Sequence, residues 1–306
     1  MENLSALTKE EKVKYFTKNQ HKNISSLEIT KSVVKHALLI LVAISMLAPF
    51  FWMLSTSLKT SLNALSIPPQ WIPDPFVWRN YLDVFIRVPF LRFLWNSTMH
   101  SVSVTFFEVV ISVIVAYGFA RFKFKGKKFL FMFLLLTIML PGEITIVPGY
   151  IYWVWLGDLF GTSFINTYIP LILPSIGGQA VHVFFMSQYF RTIPKDFAQA
   201  AYINGANNVT ILRKIYAPMS IPAIITISIS SFMGTWNSFL SPMIYLNTRD
   251  KFNVQVGLAM FQSIDGANID WAVLMAATMI SILPILILFF SMQKYFIKSN
   301  KADGVK

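Results

Sequence analysis

Six long apolar blocks set the terms for everything this chain can fold into. They lie near residues 36–58, 94–120, 129–151, 166–190, 220–246 and 271–297. Each is long enough to cross a hydrocarbon core of ~30 Å as a helix. Lipid offers no partner to open backbone groups, and the blocks are too long and too unalternating for barrel strands, so the spans should be helices. The sequence therefore predicts an all-α membrane protein with six transmembrane helices. The low share of charged residues, 13% against 55% hydrophobic, agrees, because soluble domains carry about 25%. Residues 1–35 form a polar N-terminal segment, in which "LTKEEKVKYF" can start a short helix near Thr8 with Glu11 at capping-box spacing. Residues 36–306 read as one transmembrane domain with a long polar loop at 191–219. The first block is too long for a signal-peptide core and is expected to stay as a helix.

Lysine and arginine set the orientation. Of 26 such residues, 20 fall in the segments 1–35, 121–128, 191–214 and 294–306, and 6 in the alternate segments. The positive-inside rule then places both termini and the 191–219 loop in the cytoplasm. The same distribution removes the nucleic-acid reading that a net charge of +12 invites. The basic residues sit in short juxtamembrane loops, where membrane insertion and anionic lipid explain them, and they form no stripe on a folded domain. No nucleic-acid partner is expected; membrane lipid is.

Reactive groups are sparse. There is no cysteine, so thiolate catalysis and cysteine metal sites are excluded. No G-x-x-x-x-G-K-[ST] run occurs, so no P-loop for nucleotide phosphates is predicted, and the four histidines at 21, 36, 100 and 182 lack metal-ligand spacing. No catalytic residue, metal or bound cofactor is assigned to this chain. Two carboxylates stand at membrane depth, Glu108 and Glu143, and an ionisable group there marks a pathway or a buried pair. Glu143 is the stronger pathway candidate, because "LPGEITIVP" has the composition of a broken helix facing a cavity. His182 follows "PSIGGQA" and either lines the same cavity or packs between helices. In "GTWNSFLSP", Trp236, Asn237 and Ser238 offer an aromatic face and hydrogen-bonding groups suited to a polyol, although Trp236 would equally serve as an interfacial belt residue. The outer segment 59–92 is rich in proline and tryptophan, which forbids a regular helix before about residue 76 and suits the membrane interface.

The loop "RTIPKDFAQAAYINGANNVTILRKIYAP" reads as two short helices. Pro194 and Asp196 fit the start of the first, Gly205 fits the left-handed residue that ends it, and Asn207 or Asn208 can cap the second. Ala198, Ala200, Ala201 and Ala206 make the first helix slender, and Phe197 shares a face with Ala201 at i, i+4. Such a helix can dock in a groove of another protein or simply pack beneath its own bundle.

"PKDFAQAAYINGANNVTILRKIYAP" resembles the cytoplasmic coupling motif of bacterial ATP-binding-cassette import permeases, commonly E-A-A-x-x-D-G-A. "WNSTMHSV", "AYGFARFKFKGKK", "LPGEITIVPGY", "GTWNSFLSPMIYLN" and "WAVLMAATMISILPILILFFSMQKYF" extend the resemblance, over residues 36 to 306, to the carbohydrate branch of maltose-permease G-subunit type. The resemblance implies a type I ABC importer permease fold. It also implies a second homologous permease subunit, two ATP-binding-cassette ATPase subunits that hydrolyse ATP with Mg, an extracellular or periplasmic solute-binding protein, and a sugar substrate. It places Phe197, Gln199, Ala200, Ala201, Asn204, Gly205 and Ala206 at the ATPase contact, and extends that contact to the tail residues Gly304, Val305 and Lys306. Gln199 and Asn204 stand where the motif usually has acids, so the resemblance implies docking without a salt bridge from either position. Two alternatives remain at this stage: an ABC permease for a non-sugar solute, and a proton-coupled secondary transporter using Glu108, Glu143 and His182.

Overall fold

A computed structural model of the chain describes residues 26–262 and 269–303. The helix expected from Thr8 and the tail Gly304, Val305 and Lys306 lie outside the described residues. Helix α1, Ser26–Ser57, is 32 residues long and belongs largely to a unit of its own that ends at Met53. It starts ten residues before the apolar block, and Leu38, Leu39, Ile40 and Leu41 are all exposed along it.

From Leu54 onward the chain forms one unit. Its helices are α2 (Arg79–Arg87), α3 (Phe90–Arg121), α4 (Lys127–Ile138), α5 (Gly142–Phe160), α6 (Ile169–Ile172), α7 (Ala180–Thr192), α8 (Asp196–Ile203), α9 (Asn208–Met219), α10 (Ile221–Trp236), α11 (Leu240–Tyr245), α12 (Val254–Met260) and α13 (Trp271–Asp303). No strand occurs among the described residues. Among the described residues, four helical stretches are long and apolar enough to cross a membrane, and two bent pairs raise the number to six if each pair is one span.

The bends fall in two of the apolar blocks. The block near 129–151 is not one straight helix: α4 and α5 meet at 98° across Met139–Pro141. Proline disfavours helical backbone at the residue before it and has no N–H to continue the ladder. The block near 220–246 is likewise shorter as a helix. Helix α10 ends at Trp236, and the chain restarts as α11 only at Leu240. On its other side α10 meets α9 at 81°, in a stretch holding Pro218 and Pro222. Just before that bend, Leu212–Tyr216 forms a π turn. Pro218 cannot donate to the carbonyl four residues back, so the local hydrogen bonding slips by one.

Helix α3 organises the unit, packing chiefly on α7 and α10. Its first turns enter one core, where Phe90 and Phe93 meet Phe232, Trp236, Val254 and Val273. Its last turns enter a second core, where Val113, Ala116 and Tyr117 meet Met186, Phe190, Ile211 and Tyr216. The first core requires Gly257: a Cβ there would lie 2.3 Å from a Phe93 ring carbon. Arg87 pairs with Asp270 at 2.8 Å, which joins α2 to the start of α13. Asp270 also accepts from Ser61 Oγ and from the Val273 N–H. Asn166, at φ 62°, accepts from the N–H groups of Asn247 and Thr248 and clasps the loops 161–168 and 246–251 together.

Candidate functional site

Between the two cores the middle of α3 is polar, and there a cavity of about 870 Å³ opens. His100, Val104 and Glu108 of α3 form one wall, the α5 segment from Gly142 to Trp153 another, and α10–α11 a third. Hydroxyl and amide groups dominate that third wall and its neighbours: Ser230, Ser231, Thr235, Ser238, Ser241 and Gln179. The break between α4 and α5 is what brings Glu143 here. Glu143 lies in the first turn of α5, where the helix dipole favours a carboxylate. Gly149 faces Tyr245 so closely that an added Cβ would stand 2.9 Å from its hydroxyl.

Glu108 is tied to two helices. Its Oε2 accepts from Ser231 Oγ at 2.6 Å, and His182 Nδ1 stands 3.8 Å away. His182 is buried in α7 beside this carboxylate and does not line the cavity, so it packs between helices. Of the predicted pathway residues, the structure brings Glu143 and Ser238 together on the cavity wall. It does not bring Trp236 or Asn237 there. Trp236 is 1% exposed, stacks on Phe232, and donates from Nε1 to Ser281 O. Asn237 is exposed, with its Oδ1 near Gln255 Nε2 at 3.4 Å. The cavity serines and threonine on α10 were missed as individuals, although "SISSFMGTWNSFLS" carries a polar stripe that could have shown them.

The 194–219 hairpin sits against the second core. Helix α8 ends in a Schellman turn: Ala206 N–H donates to Ala201 O, Gly205 N–H donates to Tyr202 O, and Gly205 holds φ 78°. Asn204 Nδ2 donates to Ala200 O at 2.8 Å, a bond that the carboxylate usual in the resembling motif could not make. Asn207, rather than Asn208, caps α9 by accepting from Thr210 N–H, while Asn208 accepts from the Tyr202 hydroxyl. Ala198, Ala201 and Ala206 turn toward the core. Phe197, Gln199, Ala200, Asn204 and Gly205 remain exposed. Phe197 and Ala201 therefore straddle the edge of the helix and do not share a free face. The outward surface is built by Phe197, Ile203 and Val209, of which Ile203 is 86% exposed.

A residue that the charge count treated as one loop cation among several adds a polar tie between hairpin and bundle. Arg121, the last residue of α3, donates from Nη2 to the carbonyls of Phe190 and Ile193 at the end of α7. Its guanidinium carbon lies 4.5 Å over the ring of Tyr216 in α9.

The family described as "Binding-protein-dependent transport system inner membrane component" matches residues 108–301, well over half of the chain. The chain belongs to this family. Two curated relatives cover most of the permease. It is 33% identical to "Probable ABC transporter permease protein YurM" of Bacillus subtilis (strain 168), over 88% of this chain and 86% of that one. It is 31% identical to "Trehalose/maltose transport system permease protein MalG" of Thermococcus litoralis, over 91% and 98%. Among solved structures, the permease superposes with a TM-score of 0.75 and 22% identity on a chain of a bacterial ABC transporter involved in the import of the acidic polysaccharide alginate. That likeness covers 89% of this chain and 98% of the other and shows the fold of an ABC importer permease. The permease is thus a multi-pass inner-membrane component of an ABC transport system.

Proposed function

We propose that this permease forms half of the translocation pathway of an ATP-driven carbohydrate importer, with an oligosaccharide as its solute. The observation that carries the reading is the hydroxyl-lined cavity, whose volume of about 870 Å³ falls in the range usual for small-molecule sites, about 300–1,000 Å³. Serine, threonine and glutamine groups exchange hydrogen bonds with sugar hydroxyls without fixing a charge. The relative from Thermococcus litoralis, named for trehalose and maltose, supports the same solute class.

A second homologous permease subunit completes the pathway, and a solute-binding protein delivers the sugar from outside. Of two ATPase subunits, one docks on the outward surface of this hairpin, at Phe197, Ile203 and Val209, and the other serves the second permease. ATP and Mg act on those subunits, and this chain holds no nucleotide site of its own. Both termini and the hairpin face the cytoplasm. ATP binding moves the hairpin only if the nucleotide favours one arrangement of the assembly over the other. The chain makes and breaks no covalent bond. Purification of the tagged permease in mild detergent, with its companions identified by mass spectrometry, tests this reading. A second permease and an ATPase at fixed ratio are expected. A lone chain that moves solute on a proton gradient without ATP would overturn it in favour of a proton-coupled carrier using Glu108, Glu143 and His182.

A further inference from the structure

Five basic residues crowd 121–128, and insertion topology accounts for four of them. Lys123, Lys125 and Lys128 are exposed, and Lys127 only reaches back to the carbonyl of Phe122. Arg121 alone turns into the fold. One guanidinium, rooted at the end of α3, meets two further elements at once: the end of α7 and the π turn of α9.

The chemistry of each contact suits arginine. The last carbonyls of a helix lack intrahelical donors and carry the negative end of its dipole. The carbonyls of Phe190 and Ile193 are such groups, and the two hydrogens of the single Nη2 serve both. Tyr216, fully buried, offers its ring face, within range of a cation–π contact. Tyr117 and Phe190 close the box, with ring centroids 5.2 and 5.7 Å from that of Tyr216. The first arm of the hairpin touches the bundle through the small side chains Ala198, Ala201 and Ala206 and through the Tyr202 hydroxyl, within reach of Tyr117.

We infer that Arg121 is the positioning residue that makes the hairpin, the end of α7 and the end of α3 move as one body. The inference rests on the coupling role proposed for the hairpin and adds its transmission point. Helix α3 carries the cavity residues His100, Val104 and Glu108 some turns above Arg121. The pin adds a polar clamp to the packing of Ile211 and Tyr216 on Val113, Ala116 and Tyr117, and so stiffens the path by which a displacement of the hairpin reaches the cavity along α3.

The chain has no cysteine, so two introduced ones give it unique spin-label sites. Arg213→Cys on α9 and Phe106→Cys on α3 are both exposed positions. Electron–electron distance measurements on the assembled, membrane-reconstituted complex, with and without ATP, read the link. A narrow distribution that keeps its width when ATP is added is expected with Arg121 in place, because both labels then sit on one body. Arg121→Gln should at least double the width, make the distance respond to ATP, and raise ATP hydrolysed per solute imported. Arg121→Lys keeps a cation but lacks the planar group that lies over Tyr216 while its Nη2 bonds both carbonyls, and should fall between.

A width in Arg121→Gln equal to that of the parent overturns the inference. If Arg121→Gln does not assemble, Arg121→Lys with parental width and parental ATP response overturns it equally. A complex that neither binds an ATPase nor hydrolyses ATP would sink the coupling reading. Broadening in the Arg121→Gln chain would still establish the pin.

Discussion

Replacing Gly205 by valine tests the hairpin turn with the least ambiguity. Gly205 holds φ at +78°, and a Cβ built there meets nothing within 4 Å. Any cost of substitution therefore comes from the backbone and not from a clash. The left-handed conformation costs an L-residue about 1–2 kcal/mol, and a β-branched side chain sits at the upper end or beyond. If the turn opens to relieve that strain, it gives up the bonds from Ala206 N–H to Ala201 O and from Gly205 N–H to Tyr202 O. Each is worth about 0.5–1.5 kcal/mol, so the loss by either route is about 2 kcal/mol, or ~30-fold in the local opening equilibrium. Alanine should cost about 1 kcal/mol, and asparagine, which tolerates the left-handed region, less. Amide hydrogen exchange of residues 205 and 206 in the assembled complex reads the opening directly, and the ratio of uptake to ATP hydrolysis reads its consequence. Protection should fall in the order Gly, Asn, Ala, Val, with coupling falling alongside. Parental exchange and parental uptake for valine, at normal membrane abundance, would refute the reasoning.

Further expectations follow from individual side chains. Asn204→Asp removes the donor to Ala200 O and sets a negative charge at the negative end of α8. It should loosen that helix by about 1–2 kcal/mol, measured by exchange over 196–203. Glu143→Gln should cost the start of α5 no more than about 1 kcal/mol yet change solute affinity in uptake assays, and uptake at parental affinity would assign Glu143 a purely structural role. Trp236→Phe should lower thermal stability in detergent, by about 1 kcal/mol for the lost bond to Ser281 O, with solute preference unchanged, because the indole lies in the core and not on the cavity wall.

The sequence exposed the parts governed by local rules. Apolar block length announced the spans, and Leu140-Pro141-Gly142 announced a broken helix that then places Glu143 on the cavity. Gly205 announced its own turn. What stayed hidden depended on partners far along the chain. Trp236 reads the same whether it faces a cavity or stacks on Phe232 and reaches Ser281, 45 positions on. Arg121 looked like its four basic neighbours because the carbonyls it satisfies lie 69 and 72 residues downstream. The pairing of Phe197 with Ala201 followed helix periodicity correctly. Only packing could show that the buried boundary runs between them.

The claim at the centre of this account is that the exposed face of the hairpin grips a nucleotide-binding subunit. A photo-activated crosslinking residue at Phe197, irradiated in native membranes and analysed by mass spectrometry, tests it directly. The account predicts one dominant adduct, to an ATP-binding-cassette protein, that weakens when Gly205 is replaced by valine. Adducts confined to lipid or to this chain itself would contradict it.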